Sequence, residues 1–340
     1  MKSLPLLAAC GLIALALPAM AQTPARPDVA APGPTVPGVT VTAPSSLTPA
    51  QQVEALAQAD GKGQLARWGT PICPATMGLP DAFNHFIVDR MRSVAQKVGA
   101  KAGDPGCQAN VLVLVTRDPA TFTRRLVALK ERALAGGRWP VEKAKLETFA
   151  NDTRPVRWLY MSDTVQSGGG DATSQVPQAA AVTNGNSASG DRGSNGASTG
   201  ENGLEAFLGK GALPSAPQFG NVHPSRLTPT GEQAFSQVVI VVDADRIAGL
   251  GAGQLADYLS MVALAQARSD ASFSGVDTVL NLFASDRDAT QRPAGLTGWD
   301  TRYLTALYNS DAQANYAAQI SHIATRMKVE QAAAPVNNAK

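Results

Sequence analysis

Histidine and cysteine are scarce in this chain of 340 residues, at three each, and the scarcity removes several chemistries at once. His85, His223 and His322 lie far apart. None has a second histidine one helical turn away, so neither a zinc-finger spacing nor a two-histidine metal helix can be built from them. An excess of one charge is also missing: 29 Lys and Arg face 27 Asp and Glu, a formal net charge of +2. That balance offers no basic field for nucleic acid or an anionic membrane surface. After the first 21 residues no apolar run approaches membrane-spanning length. Phosphate-binding and nucleophile signatures are equally thin. The Gly249-Leu250-Gly251-Ala252-Gly253 cluster lacks the G-x-G-x-x-G order, and no G-K-[ST] follows it. No G-x-S-x-G turn stands between a strand and a helix, as a nucleophile elbow requires.

What is present begins with an export signal. Met1-Lys2-Ser3 leads into an apolar run, Leu4 to Leu17, and then Ala19-Met20-Ala21, the order of a secretory signal peptide over residues 1–21. Cleavage near Ala21 predicts a soluble mature protein in the periplasm or secreted, with no transmembrane segment. A second route stays open: Leu7-Ala8-Ala9-Cys10 has the form of a lipoprotein cleavage box, which would anchor the protein at Cys10. Removal of the leader leaves Cys73 and Cys107. In an oxidising compartment such a pair forms one disulfide, closing a loop of about 33 residues; two buried free thiols are the alternative.

Along the chain, residues 22–46 are rich in Pro, Ala, Thr and Val and read as an extended tether. A single α/β domain is expected over residues 47–328, with α+β as the alternative, built as a mixed sheet packed with helices. Thr48-Pro49 opens a helix ending near Asp60, and Trp68–Cys73 reads as a short strand or extended segment. Asp81 starts a helix with Phe83, Ile87, Met91, Val94 and Ala95 on its inner face and Gly99 beyond its end. Asn110–Thr116 is an apolar strand expected at the sheet centre, Asp118-Pro119 opens another helix, and a short helix over residues 140–150 precedes a strand over Val156–Met161. A Gly, Ser, Asn and Ala-rich insertion at about 165–220 is too polar and uniform to fold. It reads as an overgrown hairpin loop, with the next strand around Ser225.

The strongest agreement of local signals lies in Gln237–Ala267. Val238–Val242 is a β-branched strand, Asp243 and Asp245 end it, and Leu255, Leu259, Val262, Ala263 and Gln266 give the following helix one apolar face. An extended segment at Val279–Phe283, a helix introduced by Leu296-Thr297-Gly298-Trp299-Asp300 and a last helix from Ala312 to about Met327 complete the domain. Residues 329–340 form a flexible tail.

This strand–turn–helix order, with Leu280-Asn281-Leu282 as a turn and Leu296–Asp300 leading into Leu307-Tyr308, distantly resembles the metzincin-type metalloprotease scaffold. It looks like a degenerate version in a family of uncharacterised exported bacterial proteins. If Asp257 matches the catalytic glutamate, Ala256 and Ser260 stand in the positions of the first two zinc-binding histidines. The resemblance therefore implies a scaffold without metal or other cofactor. The preferred reading is a non-catalytic binding domain of the cell envelope that takes another envelope protein or a peptide, by strand addition beside the helix. Asp243, Asp245, Asp257 and Tyr258 are its candidate lining. The alternative is a peptidase-like hydrolase built on Asp257 with His223 or Asp300.

Overall fold

Five consecutive β-branched residues, Val238–Val242, form the middle of the sheet. The computed structural model describes residues 47–57, 63–134, 143–166, 231–269, 273–284 and 289–333, all within one compact unit, Ser45–Lys340. Among them four strands make one mixed sheet: β1 (Pro74–Met77), β2 (Val111–Thr116), β3 (Val156–Gln166) and β4 (Gly231–Asp243), in the order β1-β2-β4-β3. The first three in that order run parallel, and β3 pairs antiparallel with β4. The expected α/β class with a mixed sheet is what is found.

The two central strands are apolar throughout because both faces of the sheet are covered. Val111, Val113, Val238, Ile240 and Val242 point into the larger core, where α1 (Pro49–Leu56), α2 (Asp81–Lys97) and α5 (Ala252–Ala265) also pack. Leu112, Leu114, Val239 and Val241 point the other way, against Leu126 of α3 (Pro119–Leu134) and Leu146 and Phe149 of α4 (Lys143–Asn151). Two further helices, α6 (Gly298–Tyr308) and α7 (Tyr316–Ala333), close the larger core from the C-terminal side.

Local signals place most helix starts. Thr48 and Gln51 form a reciprocal capping box at α1, and the Asp118 carboxylate accepts the Thr121 amide, 3.0 Å, at the start of α3. Gly99, with φ of 90°, follows α2 where a residue with a Cβ would be strained.

Several expectations need correction. The helix α5 has no polar face: every residue from Leu255 to Ala265 is buried, because α2, α6 and the sheet enclose it. Val279–Phe283 is a 3-10 turn capped by Thr278, not an extended segment. The short strand or extended segment expected at Trp68–Cys73 holds no regular strand: β1 starts just beyond it, at Pro74, and within the span only Ile72 makes a single bridge, to Ala102. The first helix stops at Leu56, since Ala57 turns to bridge Ala267. Phe83, expected inside, is 50% exposed. β3 continues to Gln166, inside the span assigned to the insertion, and α7 runs to Ala333, inside the expected tail. The leader, the tether, the rest of the insertion with its strand around Ser225, and the last seven residues lie outside the described residues.

The Cys73–Cys107 disulfide forms, with the two Cα atoms 5.9 Å apart. It sits where β1 enters the sheet, and Asn110 ties the same point by accepting the Cys73 amide at 2.7 Å and donating its own to the Cys73 carbonyl at 3.0 Å. Loop closure on this scale is worth about 3–4 kcal/mol. Reduction is expected to lower the urea midpoint by that free energy. A midpoint that does not move on reduction would show that the Asn110 hydrogen bonds position the segment without the covalent link.

Candidate functional site

A helix leaves its last four carbonyls without intrahelical partners, and α5 ends inside the protein. Aromatic side chains meet that need. Tyr160 Oη donates to the Val262 carbonyl at 2.6 Å, Trp68 Nε1 to Ala263 at 2.9 Å, Tyr308 Oη to Leu264 at 3.2 Å and Tyr303 Oη to Ala265 at 3.3 Å. Beyond the helix, Trp158 Nε1 donates to the Ala267 carbonyl at 3.0 Å, and Tyr160 Oη accepts the Ala267 amide at 3.0 Å. Two of the four tryptophans and three of the five tyrosines in the sequence are spent here. Burial pushes the pKa values of Tyr160, Tyr303 and Tyr308 up, so their hydroxyls remain donors.

Gln266 ends α5 in the left-handed region, φ 45°, the one non-glycine among the described residues to do so. Its buried side chain accepts the Ala66 amide through Oε1 at 2.6 Å, while its Nε2 has no hydrogen-bond partner.

Trp158 and Tyr160 also belong to β3, one of the two edge strands among the described residues, and the hydrogen-bond register shows which way its backbone faces. The Asp243 amide donates to the Pro155 carbonyl, so the pairs Arg157–Val241, Leu159–Val239 and Met161–Gln237 are the hydrogen-bonded ones. The N–H and C=O groups of Val156, Trp158 and Tyr160 therefore point away from β4, toward the side on which no other strand pairs among the described residues. A cleft of about 360 Å³ runs along that edge, bounded by Trp158, Leu159 and Tyr160, by Thr148 and Phe149 of α4, and by Gln266 and Ser269 beyond α5. Three consecutive strand residues can border one cleft only if it reaches both faces, since their side chains alternate. The edge is held firmly. The Arg154 guanidinium lies 4.1 Å from the centre of the Trp158 ring and is itself gripped by the Asp152 carboxylate.

The residues singled out from sequence are distributed differently. Asp257 is buried and accepts a two-point ion pair from Arg90, 2.6 and 3.1 Å, together with the Leu296 amide at 3.0 Å. Tyr258 is buried edge-on against Phe283. Neither lines an open surface, because the helix that carries them is enclosed on all sides. Asp243 and Asp245 share the exposed turn after β4: Asp243 accepts the Asp245 amide at 3.1 Å, and Asp245 reaches Arg117 at 3.7 Å. Asp300 is fully buried as the reciprocal cap of α6, its Oδ2 accepting the Val279 and Thr297 amides at 2.8 and 2.9 Å. His223, and the pentapeptide Gly196-Ala197-Ser198-Thr199-Gly200, which has the G-x-S-x-G form, lie outside the described residues. Ala256 and Ser260 are buried, and the Ser260 hydroxyl donates to the Ala256 carbonyl at 2.7 Å. Among the described residues no group of three or more His, Cys, Asp or Glu could hold a metal ion. The edge site escaped the sequence reading because the pattern of Val156–Tyr160 marks a strand but not its rank in the sheet.

Comparison with known protein families, with characterised proteins and with solved structures finds no match to this chain.

Two charge-dependent outcomes follow from this geometry. Arg90→Ala strands the buried Asp257 carboxylate and should cost about 2 kcal/mol, a figure reduced because the Arg90 side chain is 45% exposed. In the double variant Asp257→Asn should recover part of that loss. No recovery would assign the effect to packing. Burial pushes Asp300 from 3.8 to about 6, a displacement worth on the order of 3 kcal/mol. The folded state thus favours its protonated form, so this contribution is full below about pH 4 and is lost as pH rises through about 6. Urea unfolding across that range should show a decline in the wild type that Asp300→Asn lacks; parallel profiles would contradict the assignment.

Proposed function

We propose that this protein is an exported, non-catalytic binding module of the cell envelope, which takes an extended segment of an envelope protein or peptide as an added strand on β3. The observation that carries the reading is the set of outward backbone groups on Val156, Trp158 and Tyr160, bordering the cleft of about 360 Å³. An open edge of this kind is a template for another chain, and main-chain hydrogen bonds with alternating side-chain contacts are how strand addition works. The host edge is already ordered by the Asp152–Arg154–Trp158 stack and by the bonds of Trp158 and Tyr160 to α5. Binding there requires little further ordering of the host.

Two features support the non-catalytic part. The carboxylate of Asp257 is committed to an ion pair with Arg90 and that of Asp300 to the cap of α6. Export is supported by the disulfide, which suits an oxidising compartment, and by the leader-like start of the sequence. Among the described residues no helix is long and apolar enough to cross a membrane. The distant likeness to a metzincin-type scaffold belongs to the same proposal, as a cleft without its histidine ligands.

Selection of displayed octapeptides on the full mature chain tests this. A selected peptide should protect the Val156, Trp158 and Tyr160 amides from hydrogen exchange. Methylation of alternate peptide nitrogens, those facing β3, should weaken it tenfold or more, while methylation of the intervening ones should not. Binding without that alternation, or a selection that yields no binder, would defeat the proposal.

A further inference from the structure

The polar side chains that line the cleft on β3 are already bonded within the protein. The Thr148 hydroxyl donates to the Ala144 carbonyl at 2.9 Å, and the Asp152 carboxylate accepts Arg154 Nε at 2.9 and 3.0 Å. Trp158 Nε1 donates to the Ala267 carbonyl, and Tyr160 Oη both donates to the Val262 carbonyl and accepts the Ala267 amide. Gln266 Oε1 accepts the Ala66 amide at 2.6 Å, and its Nε2 is closed off from solvent. Lys145 has a partner of its own. Ala144, Phe149 and Leu159 add apolar surface, and Ser269, half-buried, is left as the one lining hydroxyl outside these bonds. By contrast, the N–H and C=O groups of Val156, Trp158 and Tyr160 all face away from β4. The cleft thus offers a guest its backbone and very little side-chain hydrogen bonding.

Resting on the strand-addition reading, we infer that the guest is an uncharged, proline-free stretch of an unfolded exported chain, taken through its backbone without a sequence motif. Every residue except proline carries the N–H and C=O groups that match those of β3, so these bonds convey no sequence information. Strong discrimination between side chains needs unpaired polar groups in the site, and apolar surface discriminates weakly. A charged side chain is refused, because it would lose water without gaining a counter-ion. The site is therefore tolerant of sequence and intolerant of charge. Arg154 keeps it so: by holding Asp152, the one acidic residue in the lining, it removes the group that would select a lysine or arginine in the guest. Folded proteins cover or blunt their strand edges, whereas an unfolded chain presents many uncharged extended stretches.

The test uses the full mature chain and octapeptides in which one residue type alternates with threonine, each carried on a Gly-Lys-Lys tail for solubility. The valine, leucine and tyrosine versions should bind within about tenfold of one another. The lysine and glutamate versions should each bind weaker than the valine one by about tenfold or more. Arg154→Met frees the Asp152 carboxylate and should strengthen the lysine peptide by about tenfold while leaving the glutamate peptide weak. Should that variant fail to fold, Ala144→Glu, at an exposed position of the lining, should likewise strengthen the lysine peptide alone. Carboxamidomethylated, unfolded ribonuclease should protect the Val156, Trp158 and Tyr160 amides from exchange, and native ribonuclease should not. The inference is overturned by a spread of about a hundredfold among the uncharged peptides, by tight binding of either charged peptide to the unaltered protein, by a lysine peptide that neither variant strengthens, or by equal binding of native and unfolded ribonuclease. In each of those cases strand addition stands if a bound peptide still protects the three amides. If no peptide binds and protects them, the strand-addition reading itself fails.

Discussion

The carbonyl end of α5 has to be satisfied without water, and much of the structure is arranged around that requirement. A buried helix terminus with orphan carbonyls would be strongly unfavourable. Here a tyrosine or tryptophan meets each of the last four residues, Val262 to Ala265. These donors come from three places far apart in the chain: Trp68 before β1, Tyr160 on strand β3, and Tyr303 and Tyr308 on α6. Each brings a large apolar ring together with one polar atom, so the same side chain fills the core and completes the helix. Phe235 lies against both Trp68, tilted at a centroid distance of 5.4 Å, and Tyr160, stacked at 5.3 Å, which joins the sheet to the capped end.

The same capping fixes the edge strand. Trp158 and Tyr160 can bond α5 only if their side chains point to its face of the sheet, and strand geometry then turns Leu159 and Met161 toward α4. The register to β4 decides which backbone groups are left facing outward. Arg157 is buried on this strand and donates through Nε to the Arg154 carbonyl. An inward charge is one of the devices by which sheet edges resist indiscriminate pairing. The side chains of the proposed site are thus fixed by the same contacts that stabilise the core.

Buried carboxylates serve a related purpose on the far side of α5. Asp257 gathers Arg90 of α2 and the Leu296 amide, and Gly295 allows that close approach, since a Cβ there would stand 2.5 Å from the carboxylate. Asp300 joins the start of α6 to the Val279 turn. Together they fasten the irregular stretch after α5, where Val276, Val279 and Leu282 are buried with little regular structure of their own. Carboxylates in such positions resemble catalytic candidates in sequence and act as fasteners in the fold.

Strand and helix identities were legible from the residues alone wherever the signal was local. Thr48-Pro49, Asp118-Pro119 and Thr297 with Asp300 mark helix starts through short-range hydrogen bonds, and the valine-rich runs mark central strands because both faces must be apolar. The cysteine pairing was legible too, as only Cys73 and Cys107 follow residue 21. Exposure of Phe83, the complete burial of α5 and the 3-10 turn at Val279 were not, because each depends on which element packs alongside. The outward edge of β3 depends on strand order and register, which are set by contacts between residues as distant as Trp158 and Ala267. By itself the sequence determined the locally signalled helices and central strands, through interactions that span a few residues, and the disulfide, through the two cysteines available to form it. The tertiary structure alone decided which backbone groups face away from the sheet among the described residues, and so where the proposed strand would join.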